Sequence, residues 1–274
     1  MSGNSFQLAR SVLDAMIDAD IPRTTLTYTH LISCAEQSKN WEAALEILSL
    51  SKQDNVTLDT KIYNTAMWAA ESAGKSSIVL ELLQEMEMAN IARDSGTYLA
   101  ALNACEKNAC GETALHILDL MNAEKLVYSS PICQAAIWSC VKSGMWQQAL
   151  SIFDLMRQLG ISQEEESYHG AIWACEMGGD STRAVDLLRE MKVDRNFRRE
   201  TIAYDGAISA LAKASDWQKA MELLQWMDRE KIPKSAVSYR KVLEALFEAK
   251  EFDYMDEIYI LTLRDSFYAP FIEG

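Results

Sequence analysis

The sequence of 274 residues repeats itself with a period of 35 residues. Tyrosine recurs at this spacing, with Cys133 in the place of one tyrosine and a single inserted residue late in the chain. The recurring tyrosines are Tyr28, Tyr63, Tyr98, Tyr168, Tyr204 and Tyr239. Two further series, one mostly alanine and one methionine, keep the same period: Ala44, Val79, Ala114, Ala149, Ala184, Ala220 and Met255, and Met86, Met121, Met156, Met191 and Met227. Three series that share one period and one insertion indicate an array of repeated structural units.

Each unit has the pattern of two amphipathic helices joined by a short turn. In residues 60–94, Tyr63 and Met67 stand at i and i+4, which places them on one side of a first helix. The pattern breaks at residues 72–75, and a second apolar stripe then runs to Met86. One such hairpin cannot bury both of its faces, but a stack of hairpins can. The sequence therefore predicts an all-α fold in the form of an α-solenoid.

The three series also predict where the units begin and end. Residues 1–24 are expected to hold a partial N-terminal repeat of which only the second helix is present, and residues 236–274 a degenerate C-terminal capping repeat. Between them we expect six complete repeats. Their predicted bounds are 25–59, 60–94, 95–129, 130–164, 165–200 and 201–235.

Composition limits the function. The net charge of −14 opposes non-specific attraction to phosphate backbones and anionic lipid. No apolar run is long enough for a membrane span, so no membrane insertion is expected. The cysteines lack metal-finger and CxxC spacing, which predicts free thiols in a reducing compartment, with no metal and no disulfide framework. No nucleotide-binding, metalloprotease or hydrolase motif is present, so we expect no enzyme, no cofactor and no small-molecule substrate.

The repeat unit resembles the pentatricopeptide repeat. Residues 25–59 and 60–94 closely fit that family's pattern of a tyrosine near the start of the first helix, an alanine early in the second helix, a late methionine and a closing aspartate. The resemblance implies a right-handed superhelix that binds single-stranded RNA, one base per repeat, in a mitochondrion or plastid. It also implies a part in RNA processing, stability or translation.

In that family, the residue after the tyrosine and the residue that closes the repeat read the base. Carried onto this chain, the rule pairs Thr29 with Asp59 and Asn64 with Asp94, both of which match familiar combinations. The other pairs depart from them; they are Leu99 with Ser129, Gln134 with Glu164, His169 with Glu200, Asp205 with Ser235, and Arg240 with Pro270. The base-reading candidates are Thr29, Asp59, Asn64, Asp94, Gln134, His169 and Asp205.

When each unit is numbered from its first residue, positions five, nine and twelve share a face of the first helix. Position nine holds Trp68, Trp138 and Trp173, which could stack on bases, anchor a protein partner or fill gaps between helices. Lys107, Lys142 and Lys213 at position thirteen are candidate contacts for phosphates or a partner. Position twelve holds a series of glutamates that repel phosphate: Glu36, Glu71, Glu106 and Glu176.

Two functions stay open at this point. The first is an RNA-binding protein of an organelle, in which the acidic face predicts weak and salt-sensitive binding. The second is an acidic scaffold that binds other protein subunits of a large organellar complex, with little or no RNA binding. A basic cluster at 195–200 could touch a phosphate or an acidic partner, although a solvated turn is the simpler interpretation.

Overall fold

The computed structural model describes residues 3–193 and 201–268, and these residues form fifteen helices and no strand. The basic cluster at 195–200, with Glu200, lies outside the described residues, as does Pro270. The helices are α1 (Gly3–Asp18), α2 (Thr25–Gln37), α3 (Trp41–Gln53), α4 (Thr60–Ser72), α5 (Ser76–Met88), α6 (Ser95–Asn108), α7 (Gly111–Ala123), α8 (Ser130–Lys142), α9 (Trp146–Gln158), α10 (Glu165–Gly178), α11 (Ser181–Val193), α12 (Thr201–Lys213), α13 (Trp217–Glu230), α14 (Ala236–Ala249) and α15 (Phe252–Tyr268).

The helices form two layers, built separately in two compact units, Met1–Ser143 and Gly144–Gly274. We call α2, α4, α6, α8, α10, α12 and α14 the A helices, and the other helices the B helices. In the first unit each A helix packs on the next one, and α3, α5 and α7 each pack on the A helices before and after them. In the second unit α10, α12 and α14 pack in the same order, with α11 and α13 between them. The side chains of successive A helices therefore form one shared surface within each unit.

Several A helices begin where the repeat closes because the closing residue caps the next helix, as at α4, α6 and α14, whereas Ser129 and Glu164 precede α8 and α10 without a side-chain cap bond. Asp59 precedes α4 and its carboxylate accepts a hydrogen bond from the backbone N–H of Ile62 at 3.0 Å. Ser235 has the same place before α14 and accepts bonds from two backbone N–H groups. Such caps satisfy donors that the first helical turn leaves without partners. Where such a cap is present, the chemistry of the helix start fixes the boundary of the repeat together with the core.

The core contains the three recurring series. All six recurring tyrosines are buried, as are Cys133 and the alanine and methionine series from Ala44 to Met227. Four of the six free cysteines are also buried, and burial raises the pKa of Cys133 and Cys140 to about 11 and that of Cys105 and Cys175 to about 12. These four thiols therefore stay protonated at neutral pH and pack as small apolar side chains inside the repeats.

The described residues contain neither a membrane-spanning helix nor a cluster of metal-ligating side chains. No helix within 3–193 and 201–268 has the length and apolar character needed to cross a membrane. The same residues contain no group of three or more histidine, cysteine or carboxylate side chains placed to hold a metal ion.

Candidate functional site

The residues predicted to read bases lie on the A helices or cap them, and their polar groups are engaged to different degrees. Asn64, Gln134 and Asp205 are partly exposed on α4, α8 and α12, whereas His169 on α10 is buried. The side chain of Gln134 donates a hydrogen bond to Ser130 Oγ at 3.1 Å. The surface is therefore a row of polar groups, most of which already have partners within the protein.

Asn64 and Asp94, which the family rule pairs, are in direct contact. Asn64 Nδ2 donates to Asp94 Oδ1 at 2.9 Å, and the hydroxyl of Thr97 donates to Asn64 Oδ1 at 2.6 Å. Asp94 also caps α6 by accepting from the backbone N–H of Thr97 at 2.9 Å. The carboxylate thus holds Asn64 in place at the junction of two repeats, with its amide at the surface shared by α4 and α6.

A second pair has the same geometry in the other unit. Ser235 Oγ donates to Asp205 Oδ2 at 2.7 Å, and the hydroxyl of Ser238 donates to the other carboxylate oxygen of Asp205. Thr29 and Asp59 are used differently. Thr29 donates to the backbone carbonyl of Thr25 at 2.9 Å, while Asp59 caps α4. Sequence reasoning missed the third member of each network, which is the third residue of the following repeat, Thr97 or Ser238.

Partial burial raises the pKa of Asp94, but hydrogen bonds from Thr97 and Asn64 outweigh it and leave the pKa below its ordinary value. A lowered pKa stabilises the fold at a pH above the unfolded value of about 3.9, and this stabilisation is lost as the pH falls through the folded value. We expect Asp94→Ala to lower the free energy of unfolding by about 1 kcal/mol at pH 7, because α6 loses its cap. Asp94→Asn, which preserves the cap, should lose less.

Urea unfolding at several pH values will check this expectation for Asp94. The stability difference between the wild type and Asp94→Asn should shrink between about pH 5 and pH 2. A difference that stays constant over this range would show that the charge of Asp94 does not contribute.

A groove opens on the A-helix layer of the second unit, between α10, α12 and α14. It has a volume of about 360 Å³, and Ile172, Ile202 and Val237 form much of its apolar wall. Trp173, which is 46% exposed, and His169, which is 9% exposed, also line it. The Nε2 atom of His169 is buried and has no hydrogen-bond partner, which is costly unless a ligand or water supplies one.

The three tryptophans at position nine differ in exposure. Trp173 lies in the open, whereas Trp68 and Trp138 are half-buried on α4 and α8. Trp173 therefore offers the largest ring surface of the three to a ligand. For Trp68 and Trp138, packing within the first unit already covers part of the side chain.

The three lysines predicted to contact phosphates are already paired. Lys107 Nζ lies 2.5 Å from Glu71 Oε1, and Lys142 Nζ lies 2.8 Å from Glu106 Oε1. In the third pair, Lys213 Nζ lies 3.2 Å from Glu176 Oε1. Each lysine reaches the glutamate at position twelve of the preceding repeat. Sequence reasoning treated the lysines and the glutamates as separate features, although their constant offset of about 36 residues was a signal that they pair.

Glu36 is the exception among these glutamates. Position thirteen of the repeat that follows Glu36 holds Ser72 and not a lysine. The Ser72 hydroxyl donates to the carbonyl of Ala69 at 3.0 Å. Partial burial raises the pKa of Glu36 above its ordinary value. The glutamates of the A-helix surface are thus of two kinds, three that hold a lysine and one that does not.

Comparison with known families settles which kind of repeat this is. A family model described as the pentacotripeptide-repeat region of PRORP matches residues 89–258, which is more than half of the chain. The chain belongs to the pentatricopeptide repeat family. A second model, for a pentatricopeptide repeat domain, matches residues 11–71 of this pentatricopeptide repeat protein. The search of curated proteins gave no match.

Solved structures of pentatricopeptide repeat proteins share the fold. PPR10 from maize aligns with 96% of this chain and 42% of its own, with a TM-score of 0.59 and 15% identity. The nuclear proteinaceous RNase P 2 from A. thaliana aligns with 71% of this chain and 45% of its own, with a TM-score of 0.62 and 11% identity. The chain therefore spans less than half the length of these two proteins.

A third solved structure is matched over nearly its whole length. The pentatricopeptide repeat domain of A. thaliana protein-only RNase P 1, solved in complex with tRNA, aligns with 69% of this chain and 95% of its own. Its TM-score is 0.56 and its identity 14%. These likenesses confirm the all-α solenoid fold predicted from the sequence.

Proposed function

We propose that this pentatricopeptide repeat protein binds single-stranded RNA along its A-helix layer and acts in organellar RNA processing, stability or translation. The observation that carries the proposal is the groove between α10, α12 and α14, where an exposed Trp173 lies beside a buried and unpartnered His169 Nε2. Relatives support it, because PPR10 has been solved with an 18-nt psaJ RNA element and the A. thaliana RNase P 1 domain with tRNA.

The groove has the chemistry that a nucleobase requires. A base offers a flat face that stacks on an aromatic ring and polar edges that form hydrogen bonds. Trp173 provides the ring, and Ile202 and Val237 provide apolar contacts. The imidazole of His169 provides a nitrogen that has no hydrogen-bond partner within the protein. Arg240, also on the groove wall, would provide positive charge for the phosphates of a bound RNA. Its Nε atom lies 3.7 Å from Glu244 Oε1, which offsets part of that charge.

The proposal extends to location and to chemistry. A mitochondrion or plastid is proposed because proteins of this family are typically organellar. We propose binding without catalysis by this chain, since its sequence has no nucleotide-binding, metalloprotease or hydrolase motif. RNA specificity would then come from Asn64, Asp94, His169 and Asp205, with Thr29, Asp59 and Gln134 in supporting contacts.

A protein-scaffold function is the second candidate, and one observation favours it. The lysines of the A-helix surface are held by glutamates of a chain whose net charge is −14, so the surface as it stands attracts phosphate only weakly. Purification from the native source, with and without ribonuclease, separates the two functions. Bound RNA supports the first, and a protein partner that stays after ribonuclease treatment, with no RNA found, supports the second.

Trp173→Ala should weaken binding of a short single-stranded RNA pool by about 5- to 150-fold, because base stacking on an aromatic side chain is worth about 1–3 kcal/mol. Trp173→Phe retains a ring and should lose much less. Fluorescence anisotropy at 50 and 150 mM salt measures both, and helix content by circular dichroism controls for folding. Equal affinities of the wild type and Trp173→Ala, or no binding by the wild type at 50 mM salt, would contradict the proposed function.

A further inference from the structure

The three lysine–glutamate pairs repeat one geometry. In each pair a lysine at position thirteen of one A helix bonds to the glutamate at position twelve of the A helix before it. Lys107 also donates to the backbone carbonyl of Glu71 at 2.9 Å, and Lys213 does the same to Glu176 at 3.3 Å. Two of the lysines make both contacts and Lys142 makes the side-chain contact alone, so all three reach back to the preceding A helix.

The two members of each pair differ in exposure. The side chains of Lys107 and Lys213 are 44% and 48% exposed, whereas those of their partners Glu71 and Glu176 are 14% and 15% exposed. In the third pair the difference is smaller, with Lys142 at 43% and Glu106 at 31%. The lysine ammonium is therefore open to an incoming anion, while the glutamate is held close to the helix surface. A long lysine side chain can also turn toward a new partner without any movement of the backbone.

We propose that Glu71, Glu106 and Glu176 act as internal competitors of phosphate, so that they set the strength and the salt dependence of RNA binding by this chain. The inference rests on the proposed function, because it concerns how the same A-helix surface receives an RNA backbone. Each phosphate contact requires a lysine to exchange a carboxylate for a phosphate oxygen. The glutamate left behind repels the phosphate and attracts a cation.

The exchange has a measurable consequence for salt dependence. A lysine that binds a phosphate of a single strand displaces counterions and contributes a slope of about −0.7 to the plot of log K against log salt. Where a glutamate gives up that lysine, it recruits a cation in return and cancels part of the slope. The wild type should therefore bind RNA weakly and with a shallow salt dependence, despite three lysines on the surface.

The test is a triple variant, Glu71→Gln, Glu106→Gln and Glu176→Gln, assayed with a 5′-labelled single-stranded RNA pool by anisotropy between 50 and 200 mM salt. Glutamine has nearly the same size and leaves the lysines without a charged partner. We expect a gain in affinity of at least about tenfold at 50 mM salt and a slope steeper by about 2, as for three added phosphate contacts. Ion pairs whose lysine is open to solvent contribute little to stability, so we expect the variant to stay folded, and helix content by circular dichroism checks this.

Two controls separate the release of lysines from the mere loss of negative charge. Glu36→Gln removes a carboxylate from the same position of a repeat without freeing a lysine, and it should change affinity by less than about twofold. Lys107→Gln, Lys142→Gln and Lys213→Gln, added to the triple variant, should return the affinity and the slope to wild-type values.

The outcomes distinguish this inference from the proposed function. If the wild type binds RNA and the triple variant binds no better, the inference is wrong and the proposed function stands. A gain from Glu36→Gln as large as one third of the triple effect would also overturn the inference, because charge alone would explain the result. If neither the wild type nor the triple variant binds RNA, both the inference and the proposed function are wrong.

Discussion

Tyr63→Ala should lower the free energy of unfolding by about 3–5 kcal/mol, as is typical when a large buried aromatic side chain is removed. Tyr63 is 1% exposed, at the place where α4 packs on α5. Its hydroxyl donates to Glu85 Oε1 at 2.8 Å. Burial, followed by this bond to a carboxylate, raises the pKa of Tyr63 above its ordinary value, so the hydroxyl stays protonated and donating at neutral pH.

Tyr63→Phe is the matched variant, because it removes the hydroxyl and retains the ring. Glu85 keeps its ion pair with Lys52 in that variant, so no buried carboxylate is left alone. We expect a loss of only about 1 kcal/mol, the typical net value of one hydrogen bond.

Urea unfolding followed by circular dichroism measures the free energy of unfolding of both Tyr63 variants. Met88→Ala serves as the surface control, because this side chain on the same hairpin is 75% exposed. Hydrogen exchange then locates the loss. Because each hairpin packs only on its neighbours, protection should fall first in α4 and α5 and least in the second unit. Equal losses for Tyr63→Phe and Tyr63→Ala would show that the ring does not fill the core as described.

Gly178→Ala should destabilise the second unit by about 1–3 kcal/mol, the usual cost of forcing extra volume into a packed site. Gly178 ends α10, and a Cβ atom placed there would lie 2.6 Å from a ring carbon of Trp146, the first residue of α9. The six-membered ring of Trp146 therefore occupies the space above this glycine.

A double-mutant cycle makes the Gly178 prediction specific. In a Trp146→Ala background the obstacle is absent, and alanine is the better helix former by up to about 1 kcal/mol. Gly178→Ala should then be neutral or stabilising, which reverses the sign of its effect. Thermal or urea unfolding of the four proteins gives the cycle. An unchanged destabilisation in the Trp146→Ala background would mean that backbone strain, and not the indole, disfavours a side chain at residue 178.

The sequence was sufficient to predict the class of fold and the core. Except for Met255 in the last repeat, the tyrosine, alanine and methionine series are buried as expected, because a residue that recurs at a fixed place in a stacked hairpin meets the same environment each time. The predicted bounds of the repeats, however, remain a prediction. The structure adds one reason why several A helices start where they do, which is the capping of α4 and α6 by the closing residues Asp59 and Asp94.

The contacts within the candidate site were harder to predict from the sequence than the fold, for a physical reason. Periodicity tells which residues share a helix face, but a contact between two helices depends on the offset between them. For that reason the pattern placed Lys107 and Glu71 on one surface without revealing their bond. It likewise singled out Trp68, Trp138 and Trp173 together, whereas only Trp173 is open enough to offer a broad ring surface.

Within each of the two compact units, the described part of every helix packs only on helices one or two places away along the chain. Such a molecule has low contact order, so little loop-closure entropy is lost before favourable contacts form. A hairpin can thus mature as soon as it and the next A helix have left the ribosome. For evolution, the same locality means that gene segments encoding one hairpin can be duplicated or lost without rebuilding a distant core.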